Sequence, residues 1–204
     1  LAFFAVFLWL VAFVADAPFA PTTVNRAIDG TPMAWALMVD IGLIALFGIQ
    51  HSVMARPGFK KVWTQTVPPS VERSTYVLFA SLVLALLLAY WHSIPTTIWD
   101  VRGTALEYVA WALFAAGWTV LFISTWLINH FDLFGLRQAW WHGRGEPPAH
   151  ELRTPLFYKA IAHPIYTGFT VAFWATPHMT VGHLVLAIGM QAYIAIGIHH
   201  EERD

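Results

Sequence analysis

The chain has no cysteine, few charged residues and no excess of either sign, and each shortage closes a class of function. Without thiols there is no disulfide framework, no thiolate metal site and no cysteine nucleophile. Charged residues make up 11% of the chain, against about 25% in an ordinary soluble domain. Lys plus Arg number 11 and Asp plus Glu 12, for a net charge of −1 with histidine neutral. The basic excess of a nucleic-acid-binding surface is therefore missing, and no nucleic-acid partner is expected. The G-x-G-x-x-G and G-x-x-x-x-G-K-[ST] phosphate cradles, the G-x-S-x-G nucleophile elbow and the H-E-x-x-H zinc pair are absent as well. Dinucleotide, nucleotide-phosphate, serine-hydrolase and zincin chemistry thus have no local signature.

What the chain has instead is apolar surface. Hydrophobic residues reach 58% and aromatics 16%, with 11 Trp, which excludes disorder. A membrane-spanning helix needs roughly 20 predominantly apolar residues, and several runs meet that test. Met33 to Met54 is broken only by Asp40, Gln50 and His51, Ser74 to Trp91 is largely aliphatic and aromatic, and Ala105 to Ile128 carries Glu107 near its start. Tyr158 to Thr176 and Val181 to His200 follow, joined by a very short turn around Pro177. The opening run, Leu1 to Ala15, is shorter than a span and begins without Met, so further residues are expected upstream. A signal peptide is the alternative, but the segment has no basic n-region. The expected fold is all-α: one domain, 1–204, forming a polytopic membrane bundle of five to six transmembrane helices. Its spans lie near 1–15, 33–54, 74–91, 105–128, 158–176 and 181–200.

Alternating spans with the N-terminus inside place Arg56, Lys60, Lys61, Arg73, Arg137, Arg144, Arg153, Lys159 and Arg203 on one side of the bilayer. Only Arg26 and Arg102 fall on the other. Nine against two satisfies the positive-inside rule, so a multi-pass protein of a bacterial inner membrane is expected, with its polar, motif-like regions at the cytoplasmic face. Trp63, Trp91, Trp99, Trp140 and Trp141 lie near span ends, where indoles are expected at the interface.

A polar residue inside a span is a functional candidate because hydrocarbon cannot solvate it. Four clusters qualify. Asp40 precedes Gln50 and His51 on the second span; eleven residues on one helix put Asp40 about 16 Å from His51, too far for direct pairing. Gln50-His51-Ser52 reads either as a cap at the inner helix end or as part of a site. Asn129-His130-Phe131-Asp132 stands where the fourth span ends and reads as an interfacial anchor or as a general base with its orienting carboxylate. On a continuous helix His130 and Asp132 diverge, so a dyad there requires local unwinding. His163-Pro164-Ile165-Tyr166-Thr167-Gly168 is placed about one turn into the fifth span, where proline would free a backbone carbonyl and glycine would admit a close neighbour. His199-His200-Glu201-Glu202-Arg203-Asp204 sets acidic residues against the macrodipole of the last helix, which points to a use for the carboxylates. The last two clusters meet if the final spans form an antiparallel hairpin.

The spacing of His163-Pro164-x-Tyr166-x-Gly168 and the later Glu201-Glu202-Arg203 resembles the signature of the integral-membrane methyltransferases. That superfamily holds the isoprenylcysteine carboxyl methyltransferases, the phospholipid methyltransferases and the NnrU-like proteins. The resemblance is closer to its branch that S-methylates small thiols. There it rests on the segments Gln50 to Pro57, Val71 to Tyr76, Asn129 to Gln138, Ala172 to Pro177 and Glu201 to Asp204. It covers the chain from about Gln50 to the end.

The resemblance implies that the final two helices form a cofactor-binding hairpin. His163, Pro164, Tyr166, Gly168, Glu201, Glu202 and Arg203 would hold S-adenosyl-L-methionine. It further implies methylation of a small thiol, typically methanethiol, to dimethyl sulfide. Loss of the thiol proton would fall to His130, Asp132 or His51, with Gln50, Asn129 and Phe131 against the substrate. Attack of a thiolate on a sulfonium destroys charge, so a dry site favours it over water. Two other readings stay open. One is a methyltransferase for lipid or prenylated substrates, which would need a slot between helices opening to the bilayer. The other is an NnrU-like membrane protein holding haem or a metal through His51, His130 and His163. The chain departs from the superfamily pattern at Ala162, where arginine usually precedes His-Pro; Lys159 lies one turn earlier.

Overall fold

A computed structural model describes residues 2–127, 140 and 163–201, with the backbone alone for 127, 200 and 201. The elements run α1 (Ala2–Val14), α2 (Met33–Ala55), α3 (Pro57–Trp63), α4 (Pro69–Ala89), β1 (Thr97–Asp100), α5 (Ala105–Leu127), α6 (Pro164–Trp174), β2 (His178–Thr180) and α7 (Val181–Glu201). Four of them, α2, α4, α5 and α7, are long and apolar enough to cross a bilayer, and each buries a third or less of its apolar stretch within the protein. Their remaining apolar surface needs a lipid solvent. The chain is an integral membrane protein built as a helical bundle. The 13-residue α1 and 11-residue α6 are apolar too and pack into the same bundle.

Helix α2 lies between α4 and α7, α1 packs on α4, and α5 and α6 form the most extensive pair. That pair depends on two glycines. A β-carbon on Gly168 would stand 2.8 Å from the carbonyl oxygen of Gly117 and 2.9 Å from the backbone nitrogen of Leu121. One on Gly117 would meet the backbone of Ala172 at 2.7 Å. Without side chains at these points the two backbones touch directly. Trp118 continues the contact, its ring edge-on to Phe169 and Phe173 of α6 and to Phe7 of α1.

Two sequence-based expectations need correction here. Trp91 is not an interfacial indole: it is fully buried and packs edge-on against Phe13. Pro164 does not kink a helix interior. It occupies the first turn of α6 with His163 as N-cap, where its missing N–H would have no intrahelical partner in any case.

One end of the bundle is knitted by loops and a small ribbon that the all-helical expectation did not include. Strands β1 and β2 pair antiparallel, with Thr97 opposite Thr180 and Asp100 opposite His178. The backbone N–H groups of Val181 and Gly182 donate to the Thr96 and Ile94 carbonyls at 2.8 and 3.1 Å. Asp16 adopts a left-handed backbone conformation (φ 53°), which a short acidic side chain tolerates. Its carboxylate accepts from the Thr23 hydroxyl and from Asn25 Nδ2. Asn25 in turn accepts from Thr180 at 2.7 Å. Arg26 donates to the carbonyls of Ala17 and Ala20. Deeper in, the fully buried Asp40 accepts the backbone N–H of His92 at 2.9 Å, and the His92 ring lies 3.6 Å from the same oxygen. Asp40 therefore fixes the exit of α4, and its role is architectural. This end is termed the ribbon end.

Candidate functional site

At the opposite end, α2 remains helical past Gln50, His51 and Ser52 and stops only at Arg56, whose backbone N–H bonds to Val53. The three residues thus lie within the helix, and the capping alternative does not hold. His51 points toward α4, and its Nε2 is 2.7 Å from the Tyr76 hydroxyl. Aromatic rings surround it: Tyr76 at 5.0 Å, Phe47 at 5.4 Å and Tyr193 of α7, edge-on, at 5.9 Å. Its second ring nitrogen, Nδ1, is buried and has no partner among the described residues. The carboxamide of Gln50, one residue earlier, bonds through Nε2 to the Met54 sulfur at 3.0 Å, and its buried Oε1 has no partner among the described residues. Leaving such an atom unmatched costs about 1–3 kcal/mol.

The start of α6 joins this end. The ring of His163 lies 5.8 Å from that of Tyr166, and the Tyr166 hydroxyl would be 3.6 Å from a β-carbon on Gly197, one turn before the end of α7. The chain reversal through β2 therefore does bring the beginning of α6 beside the last turns of α7. The Tyr166 and Tyr193 side chains are also within electrostatic reach of Tyr76, as are Arg73 and Glu72 near the start of α4. Histidine and tyrosines from α2, α4, α6 and α7 thus converge at one end of the bundle. Alongside runs an apolar groove of about 430 Å³ between α2 and α7, with Tyr193 in its wall and Arg56 at its end.

Not every expected residue belongs to the cluster. Gly168 is buried against Gly117 and Leu121 of α5, so its lack of a side chain serves helix packing. Pro164 is buried and sets the start of α6. Glu201 is the last residue of α7. Asn129, His130, Phe131, Asp132, Ala162, Glu202 and Arg203 lie outside the described residues. Tyr193 gave no sequence signal, because a tyrosine in an apolar run reads as one more aromatic. Tyr76 lay in a recognised segment but carried no assigned role.

Fold and site together define a polytopic membrane protein with a histidine–tyrosine site at one end of its helix bundle. Comparison with known proteins narrows the class. The chain is 49% identical over 205 residues to the methanethiol S-methyltransferase of Mycobacterium tuberculosis, covering 100% of this chain and 83% of that protein. It is 48% identical over 207 residues to methanethiol S-methyltransferase 1 of Bradyrhizobium diazoefficiens, covering 100% and 71%. Human nurim is a more distant relative, at 29% identity over 184 residues, 85% of this chain and 68% of nurim. No family model matches the chain, and no solved structure does. The chain belongs to the methanethiol S-methyltransferase family.

Proposed function

We propose that this chain transfers a methyl group from S-adenosyl-L-methionine to methanethiol, giving dimethyl sulfide, at the His51 end of the bundle. The unbonded Nδ1 of His51, held in an aromatic enclosure, carries the reading. Family membership supplies the substrate class.

The residues present suit a sulfonium donor. Aromatic rings such as Tyr76, Tyr193 and Phe47 can stabilise a nearby cation, and Gln50 Oε1 has no partner among the described residues. His163, Tyr166, Glu201, Glu202 and Arg203 are the residues we assign to holding S-adenosyl-L-methionine. When bound, that molecule supplies an electrophilic methyl group and leaves as a neutral thioether.

This chain's own task is the proton. A small thiol is largely protonated at neutral pH, and its sulfur becomes an effective nucleophile as the S–H bond breaks. Tyr76 can accept from His51 Nε2–H across the 2.7 Å contact. Nδ1 is then the bare nitrogen and would take the proton of a bound thiol, leaving its sulfur as a thiolate. Tyr76 acts as a positioning residue that fixes the tautomer and supports the imidazolium. His130 with Asp132 is the competing assignment for the same proton.

We place the His51 end on the cytoplasmic side of a bacterial inner membrane, because Arg56, Lys60, Lys61 and Arg73 gather there while Arg26 and Arg102 lie at the ribbon end. The test is direct. The purified protein in lipid nanodiscs, given S-adenosyl-L-methionine and methanethiol, releases dimethyl sulfide into the headspace. Binding of S-adenosyl-L-methionine with no dimethyl sulfide from methanethiol would overturn the acceptor assignment.

A further inference from the structure

The groove between α2 and α7 shares only Tyr193 with the residues assigned to the reaction just proposed. It runs from Ile44 and Gly189, well inside two membrane-spanning helices, to Arg56 at the end of α2. Its rims carry Ile49, Val53 and Ile196, all exposed. In the hydrocarbon layer no water fills a concave apolar surface of this kind; an acyl chain does. Tyr193 lines the groove and also packs edge-on to His51, yet His51 is not in the lining. A chain lying there touches Tyr193 without His51 in its wall, which suits a resident lipid better than an acceptor for methyl transfer.

The charge at the groove's end selects among lipids. Arg56 is exposed, forms no ion pair among the described residues, and stands where α2 ends. Lys60 follows one helical turn later, its N–H bonded to the Arg56 carbonyl, with Lys61 next to it. A guanidinium at the mouth of an apolar groove matches a phosphodiester carried on an apolar chain, since its paired N–H donors fit phosphate oxygens. We propose that this groove binds one anionic phospholipid, with an acyl chain along α2 and α7 and its phosphate on Arg56.

The experiment uses the full chain in mild detergent, stripped of lipid. It is titrated with dioleoyl phosphatidylglycerol or dioleoyl phosphatidylcholine and followed by native mass spectrometry and thermal unfolding. Phosphatidylglycerol is expected to bind at one per chain, more tightly than phosphatidylcholine, and to raise the melting temperature further. Arg56→Gln should weaken phosphatidylglycerol by about fivefold, the effect of about 1 kcal/mol for one cation near an anionic lipid surface, and leave phosphatidylcholine unchanged. Ala192→Leu, which fills the groove, should weaken both lipids. Equal affinity of the two lipids for the unaltered protein, or an undiminished preference in Arg56→Gln, would overturn the proposal. Neither readout involves methyl transfer, so it stands or falls separately from the proposed reaction.

Discussion

Two histidines, the fully buried His183 and the half-buried His51, one toward each end of the bundle, show how a hydrogen-bond partner sorts structure from chemistry. His183, at the start of α7, is fully buried and donates through Nε2 to the Phe173 carbonyl at 2.9 Å. His51, near the end of α2, shares its Nε2 with the Tyr76 hydroxyl at 2.7 Å. Both leave Nδ1 without a partner among the described residues. A carbonyl only accepts, so His183 is locked as an Nε2–H donor. Its ring ties α7 to the end of α6. A hydroxyl both donates and accepts, so His51 can change tautomer or gain a proton without losing its bond. The surroundings reinforce the contrast, because His183 sits in the knitted ribbon end whereas His51 stands beside tyrosines from two helices, Tyr76 and Tyr193.

The sharpest test of this contrast is His51→Ala against His183→Ala. Removing His51 should lower turnover by roughly 10²–10⁴-fold, the range for a general base, with S-adenosyl-L-methionine still bound and the melting temperature little changed. Tyr76→Phe keeps the ring packing and removes the oxygen. It should lower kcat about 10- to 100-fold, which corresponds to the 1.5–3 kcal/mol of a hydrogen bond to a charged group, while KM holds. Should His130→Ala abolish turnover while His51→Ala leaves it near normal, the proton belongs to the other cluster and His51 joins His183 as a structural residue.

His183→Ala should act on stability alone. It strands the Phe173 carbonyl, a loss of about 1–3 kcal/mol, and leaves a space at the α6–α7 junction. Unfolding in detergent should come earlier, with turnover per folded molecule unchanged. A fall in turnover at full folding would mean that the two ends of the bundle are coupled.

Gly168→Ala separates packing from ligand binding at a residue that the superfamily resemblance assigns to the cofactor. The added β-carbon meets backbone atoms at 2.8 and 2.9 Å, so α5 and α6 must move apart, at about 1–3 kcal/mol for overpacking. Folded protein should keep its affinity for S-adenosyl-L-methionine, measured by calorimetric titration. Loss of affinity without loss of stability would return Gly168 to the cofactor site.

The sequence made visible whatever hydrocarbon penalises. The apolar runs announced α2, α4, α5 and α7, and His51 was conspicuous as a polar residue within one of them. Partners that cost nothing in hydrocarbon were not visible. Tyr193 reads as an ordinary aromatic, and the Gly117–Gly168 contact requires knowing that α5 lies against α6. The ribbon was missed because strands of three and four residues lie below any periodicity signal, between helices that dominate the pattern. Trp91 was misplaced because nearness to a span end says nothing about which way an indole faces. Asp40 was legible as a residue needing a partner, but that partner proved to be the backbone of His92, 52 residues away.

The smallest expected effect lies on the ribbon itself and tests whether its charges matter as its hydrogen bonds do. Asp100 accepts from the Arg102 side chain at 2.5 and 2.8 Å and from its backbone N–H at 3.0 Å. These bonds hold its carboxyl well below the ordinary value of 3.8 and raise the Arg102 guanidinium. For a carboxyl depressed on folding, the stabilisation is fully present above the unfolded value and fades as pH falls through the folded one. Asp100→Asn should therefore leave the melting temperature nearly unchanged at neutral pH, because an exposed pair contributes little in water. In the mutant, the fall of melting temperature on acidification below about pH 4 should be slightly shallower, since one carboxylate no longer has to be protonated. A large loss at neutral pH would instead mean that this exposed pair holds the turn between β1 and α5 in place, and that the ribbon end depends on charge as well as on backbone bonding.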